Sequence, residues 1–211
     1  MKILMYGDSI TDMCRSYARD NAPDSYGYGY VYYVASDLFQ NDPAKYEIIN
    51  RGVGGSKITS LYAQIKQSVW NLQPDVLSIL CGVNDLWHDL DHNDGVELER
   101  WEKIYRMMIE DTIARLPNVK IIVCEPFVLK GCKTEANYEG FLKIKEYAKV
   151  AKKLAEEYRL HFLPLQERLD EAAGKYNAEV FLYDGVHPNI AGARLIADEW
   201  LKLFKNEIET A

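Results

Sequence analysis

The chain has 211 residues, 48% hydrophobic and 27% charged, enough apolar material for one ordinary globular core without disulfide or metal staples. Its formal net charge of −7 argues against a nucleic-acid partner, which calls for a basic face. Apolar runs such as 119–124 are far too short to span a bilayer, so no membrane partner is expected either.

Residues 2–6 read as a first strand that runs straight into Gly7-Asp8-Ser9, with no room for a secretory leader. A polar loop over 16–28 leads to a helix at 30–39. Four more strands are predicted at 46–50, 76–81, 119–124 and 161–164, and helices at 57–70, 97–116, 137–158 and 190–204. A second polar loop is expected over 88–96. The strands are nearly continuous in Ile, Leu and Val, as when helices cover both faces of a parallel sheet, so the fold class is α/β. The last helix shows one apolar stripe: Ile190, Leu195, Ile196, Trp200, Leu203 and Phe204. No repeat or linker divides the chain, and residues 1–211 are expected to form a single domain. Cys14, Cys81, Cys124 and Cys132 lack framework spacing, which points to reduced thiols in the cytoplasm.

The chemistry-bearing residues fall at one edge of that sheet. Ser9, Gly55 and Asn84 each follow the C-terminal end of a predicted strand, the edge where open α/β sheets bind ligands. Asp184 and His187 stand three apart in a Gly/Pro turn, a spacing that suits a carboxylate fixing the tautomer of a general-base imidazole. Taken singly, Ser9 reads equally as a helix-capping turn, the Gly54-Gly55 turn as a tight connection, and Asn84 as a cap. Together they supply a nucleophile, a base, its orienting acid and oxyanion donors.

These segments, Gly7-Asp8-Ser9-Ile10-Thr11, Asn50-x-Gly52-x-x-Gly55, Gly82-x-Asn84-Asp85 and Asp184-x-x-His187-Pro188, resemble the four blocks of the SGNH (GDSL-type) hydrolases. The resemblance implies a three-layer α/β/α sandwich on a five-stranded parallel sheet of flavodoxin-like order. It also implies a Ser9-His187-Asp184 triad, with an oxyanion hole from the Ser9 and Gly55 N–H groups and the Asn84 side chain. The segments around Gly29-Tyr30-Val31, Asn84-Asp85-x-Trp87 and Pro126-Phe127 are further similar to bacterial acetylxylan esterases. That similarity implies an acetylated oligosaccharide as the small-molecule ester substrate, a homo-oligomer and no cofactor.

Other residues admit two readings. Trp87 suits a sugar-stacking wall or a loop aromatic packed on the core, and Arg15 a substrate contact or a surface salt bridge. Tyr17, Tyr26 and Tyr28 suit a pocket lining or an interface. His88 and His92 have helical metal-ligand spacing, but the surrounding Asp and Asn residues favour a solvated loop, so no metal is expected. Cys14 is expected to be packed. The leading reading is an esterase for short-chain acetyl esters of carbohydrates. The alternatives are a lysophospholipase or acyl-thioesterase using the same triad, and a non-catalytic flavodoxin-like binding module. The missing mid-chain Gly-x-Ser-x-Gly disfavours the α/β-hydrolase architecture with its usual nucleophile elbow.

Overall fold

Short β-branched runs pair where both faces can be covered, and the five predicted strands do so. In the computed structural model, which describes residues 1–20 and 22–209, they are β1 (Lys2–Gly7), β2 (Glu47–Gly52), β3 (Val76–Leu80), β4 (Lys120–Cys124) and β5 (His161–Leu163). Every pairing is parallel and the order is β2-β1-β3-β4-β5, the flavodoxin-like winding. Gly7 is in register with Gly52 on one side and Leu80 on the other, so the C-terminal ends of three strands lie abreast.

Helices cover both faces. On one, α2 (Tyr30–Asn41) packs against α10 (Ile190–Leu203); on the other, α3 (Ile58–Ser68) packs on α5 (Leu98–Arg115) and α5 on α7 (Ile144–Glu157). Each buries a 3.6-period stripe, for example Trp101, Tyr105, Met108, Ile109 and Thr112 on α5. The α10 stripe is buried at Ile196, Trp200, Leu203 and Phe204 and partly buried at Leu195, but its start, Ile190, is 77% exposed. No helix among the described residues is long and apolar enough to cross a membrane.

Three expectations need correction. The predicted helix over 137–158 is two: α6 (Tyr138–Phe141) and α7, joined by a 3₁₀-type turn in which Lys143 N–H bonds Gly140 O and Glu146 N–H bonds Lys143 O. Residues 88–92 of the expected loop are helical, because α4 runs Val83–His92. It ends in an αL cap, with Asn93 at φ 52° and its own N–H bonded to Asp89 O. Two helices, α8 (Gln166–Lys175) and α9 (Ala178–Phe181), went unread because each buries a single side chain, Leu169 or Phe181. A four-residue helix, α1 (Ser9–Asp12), follows β1. Asn21, within the expected 16–28 loop, and Thr210 and Ala211 lie outside the described residues.

Candidate active site

The turn after β1 is set by Asp8, whose carboxylate caps α1 by accepting from the Ile10 N–H at 2.9 Å. This places Ser9 at the first position of the helix, half-buried at the sheet edge. Asn50, buried at the end of β2, donates to the carbonyls of Thr11 (2.7 Å) and Tyr26 (3.0 Å) and so ties α1 and the following loop to the sheet. Gly52 permits this approach, since a Cβ there would run into the backbone of Thr11 and Asp12.

After β2 the chain turns outward through Val53-Gly54-Gly55-Ser56. Gly55 has φ +76°, a conformation that favours glycine, although a Cβ there would meet no atom within 4 Å. Asp12 holds the turn by accepting the Gly54 N–H at 3.1 Å. From the opposite side, the first turn of α4 grips it twice. Asn84 Nδ2 donates to Ser56 O at 3.3 Å, and the buried Asp85 accepts the Ile58 N–H at 2.9 Å. Among the described residues, no hydrogen-bond acceptor takes the N–H of Ser9 or of Gly55.

The Asp184-to-His187 turn comes from the other end of the chain. Leu182 and Pro188 form an antiparallel bridge, and Gly185 sits at φ +99°. The 125–134 segment pins it: Leu129 N–H bonds Gly185 O at 2.8 Å and Lys133 N–H bonds Asp184 O at 3.0 Å. Asp184 Oδ1 accepts the N–H groups of Val186 (2.9 Å) and His187 (2.8 Å), while Oδ2 lies 2.7 Å from His187 Nδ1. His187 Nε2 is 2.9 Å from Ser9 Oγ. With the Nδ1 proton donated to Asp184, Nε2 is left as the acceptor for the serine hydroxyl.

The electrostatics follow from these partners. The hydrogen bond that His187 donates to Asp184 raises the His187 pKa above its ordinary 6.5; burial opposes, and the charges of Asp184 and Asp8 add to the rise. Burial pushes the Asp184 carboxyl up, but the imidazole and two backbone N–H groups outweigh it and hold the acid below its usual range. Asp8 and Asp85 behave oppositely. Both are fully buried with one oxygen unpartnered, and burial raises each to about 7.

The structure therefore brings Ser9, Gly55, Asn84, Asp184 and His187 to one edge. Trp87 lies on α4, edge-on to Phe141 at 5.7 Å and 6.2 Å from the His187 ring, so it joins the core to the site. Tyr183 was not anticipated: it is half exposed and stacks on His187 at 5.8 Å and 20°. Its one signal was adjacency to Asp184. Tyr28 is 61% exposed at the rim, its hydroxyl 3.5 Å from Cys14 Sγ, and Cys14 is exposed, not packed. Arg15 is not a surface salt bridge; it is 8% exposed, with Nε 2.8 Å from Gly52 O. His88 and His92 do share a helical face, their rings 6.2 Å apart. Among the described residues no three His, Cys, Asp or Glu side chains are grouped to hold a metal.

A serine bonded to an imidazole at the carboxyl edge of a parallel sheet is an arrangement suited to acyl transfer. The GDSL-like Lipase/Acylhydrolase family model matches residues 5–195. An acetylxylan esterase from Geobacillus stearothermophilus is 31% identical over 210 residues, covering 95% of this chain and 92% of that one. A crystal structure of a protein described as GDSL-like lipase, from Parabacteroides merdae, superposes with a TM-score of 0.89 at 38% identity, over 97% and 95% of the two chains. A catalytic mutant of the Geobacillus enzyme superposes with 0.88 at 28% identity, over 98% and 94%. The chain belongs to the GDSL-like lipase/acylhydrolase family and is a carboxylic ester hydrolase.

Proposed function

We propose that the chain is a serine esterase that removes short acyl groups, acetyl above all, from carbohydrates. The observation that carries this is the continuous relay from Ser9 Oγ through His187 to Asp184, at 2.9 Å and 2.7 Å. Ser9 attacks the ester carbonyl while Nε2 of His187 takes its proton and then delivers it to the leaving alcohol. Asp184 holds the tautomer and stabilises the imidazolium. The N–H groups of Ser9 and Gly55 and the Asn84 amide receive the oxyanion, and water deacylates Ser9 by the same route. The acetylated-sugar part of the reading is supported by the likeness to the Geobacillus acetylxylan esterase and by the aromatic rim of Trp87, Tyr28 and Tyr183. A cytoplasmic location is supported by four unpaired cysteines.

The test uses a fluorophosphonate probe and p-nitrophenyl esters from acetate to octanoate, alongside acetate release from acetylated xylo-oligosaccharides. Ser9→Ala should abolish labelling and turnover while keeping its circular dichroism spectrum. Near wild-type turnover in folded Ser9→Ala would refute the nucleophile. Faster cleavage of octanoate than acetate would transfer the case to a lipid-directed esterase.

A further inference from the structure

Behind the oxyanion turn lies a second cleft, of about 460 Å³, within the range of small-molecule sites. Its walls carry Arg15, Arg19 and Arg51, with Gln64 and Gln67 from α3. Three guanidinium groups in one concavity are notable in a chain whose formal charge is −7.

Two of these cations are not consumed by the fold. The Arg15 side chain is 6% exposed, yet its hydrogen bond is made by Nε to Gly52 O. Its ring-like plane lies over Tyr17 at 3.9 Å, and among the described residues neither terminal nitrogen has an acceptor. Asp12 approaches the guanidinium no closer than 4.0 Å. Arg19 is exposed and has no acidic partner among the described residues. The third, Arg51, already shows what the cleft accepts: it grips the Asp20 carboxylate by a two-pronged bond, Nη1 to Oδ1 at 2.5 Å and Nη2 to Oδ2 at 2.8 Å. Burial lowers the Arg15 pKa, and the Arg51 charge pushes it the same way, against the opposing pull of Tyr17, Asp12 and Asp20.

The cleft is joined to the reaction centre. Val53, next to Gly54, lines it. Tyr17 donates at 2.9 Å to the same Asp12 oxygen that holds the Gly54 N–H. On the far side of that glycine lies Ser9, whose Cβ would be 4.0 Å from a Gly54 Cβ.

We propose that this cleft is an oxyanion subsite, in which Arg15, Arg19 and Arg51 receive a carboxylate or phosphate group. Guanidinium forks suit both groups bidentately. The chemistry has two sources: an acidic sugar unit on the oligosaccharide whose acetyl group reaches Ser9, or a free anion binding independently. The first source rests on the esterase reading; occupancy of the cleft does not.

Titration calorimetry on the full chain with glucuronate and with inorganic phosphate tests occupancy without reference to turnover. Arg51→Gln and Arg19→Ala should weaken binding by roughly tenfold to a hundredfold, the range of a lost charged hydrogen bond. Asp20→Asn, which releases Arg51, should strengthen it, a gain that a misfolded variant does not produce. Kinetics on acetylated xylo-oligosaccharides with and without a glucuronic acid substituent then separates the sources. A KM for the acidic substrate below that of the neutral one, a difference erased in Arg51→Gln at unchanged kcat, assigns the subsite to substrate. Anion binding with equal KM values assigns it to a free anion. No heat with either anion, in wild type and in Asp20→Asn, overturns the proposal. Anion binding by a protein inactive on every ester would leave the subsite standing and sink the esterase reading instead.

Discussion

The imidazole of His187 is held from three sides. Asp184 bonds Nδ1, Ser9 meets Nε2, and Tyr183 stacks on the ring. Because the folded pKa lies above 6.5, the ring is protonated and unable to act as a base until the pH passes that raised value. The ascending limb of kcat/KM should therefore have its midpoint above 6.5, and Asp184→Asn should move it down by removing the largest cause of the rise. A flat profile from mildly acid to neutral pH would exclude a histidine base. Asn84 is buried and shares one amide proton with Ser56 O, which aims the side chain. Asn84→Ala should lower kcat by about two to three orders of magnitude with little change in KM. A loss confined to KM would show that Asn84 binds ground-state substrate instead. These residues were legible because each stands in a short block of distinctive composition. Tyr183, Asp12 and the buried orientation of Arg15 were not, since a lone Tyr, Asp or Arg carries no local signal of what it will face.

Element by element, the predicted strands agree with the observed ones to within two residues at each end, because continuous apolar runs bounded by polar turns leave few alternatives. The helices were read less well. The Asp- and His-rich end of α4 has few apolar residues to reveal a period, although Asn93-Asp94-Gly95 after it carries the composition of a helix stop. The site depends on how closely elements approach, above all where α1 crosses β2 at Gly52. Gly52→Ala places a methyl group against the Thr11 and Asp12 backbone, with no flexible side chain to yield. The variant should lose about 1–3 kcal/mol of stability, the usual cost of overpacking, and turnover should fall as Ser9 is displaced. Chemical denaturation with parallel kinetics checks this, and an unchanged midpoint with full activity would show that α1 has room to move.

For the whole molecule, the cost of the site is the burial of Asp8 and Asp85 beneath it. Both are raised to about 7, whereas an unfolded aspartate titrates near 3.8. Between those values the unfolded chain has released protons that the folded one retains, so these groups favour folding most below the window and lose that contribution as pH rises through about 7. Asp8→Asn keeps an oxygen for the Ile10 cap and removes one titration. The melting temperature of wild type minus that of Asp8→Asn should fall from acid to neutral pH; a difference independent of pH would show that Asp8 ionises normally. By itself the sequence determined the alternation of strands and helices, the parallel sheet and the four blocks on which the proposed chemistry rests, because periodicity and motif composition are local properties of the chain. Tertiary structure alone decided that Asp184 and His187 swing back onto Ser9 from 178 residues away, that Asp12, Asn84 and Asp85 clamp the Gly55 turn, and that three arginines share one cleft. Those outcomes depend on which elements pack together and on burial, which reorganise charge and hydrogen bonding between residues that no spacing in the chain connects.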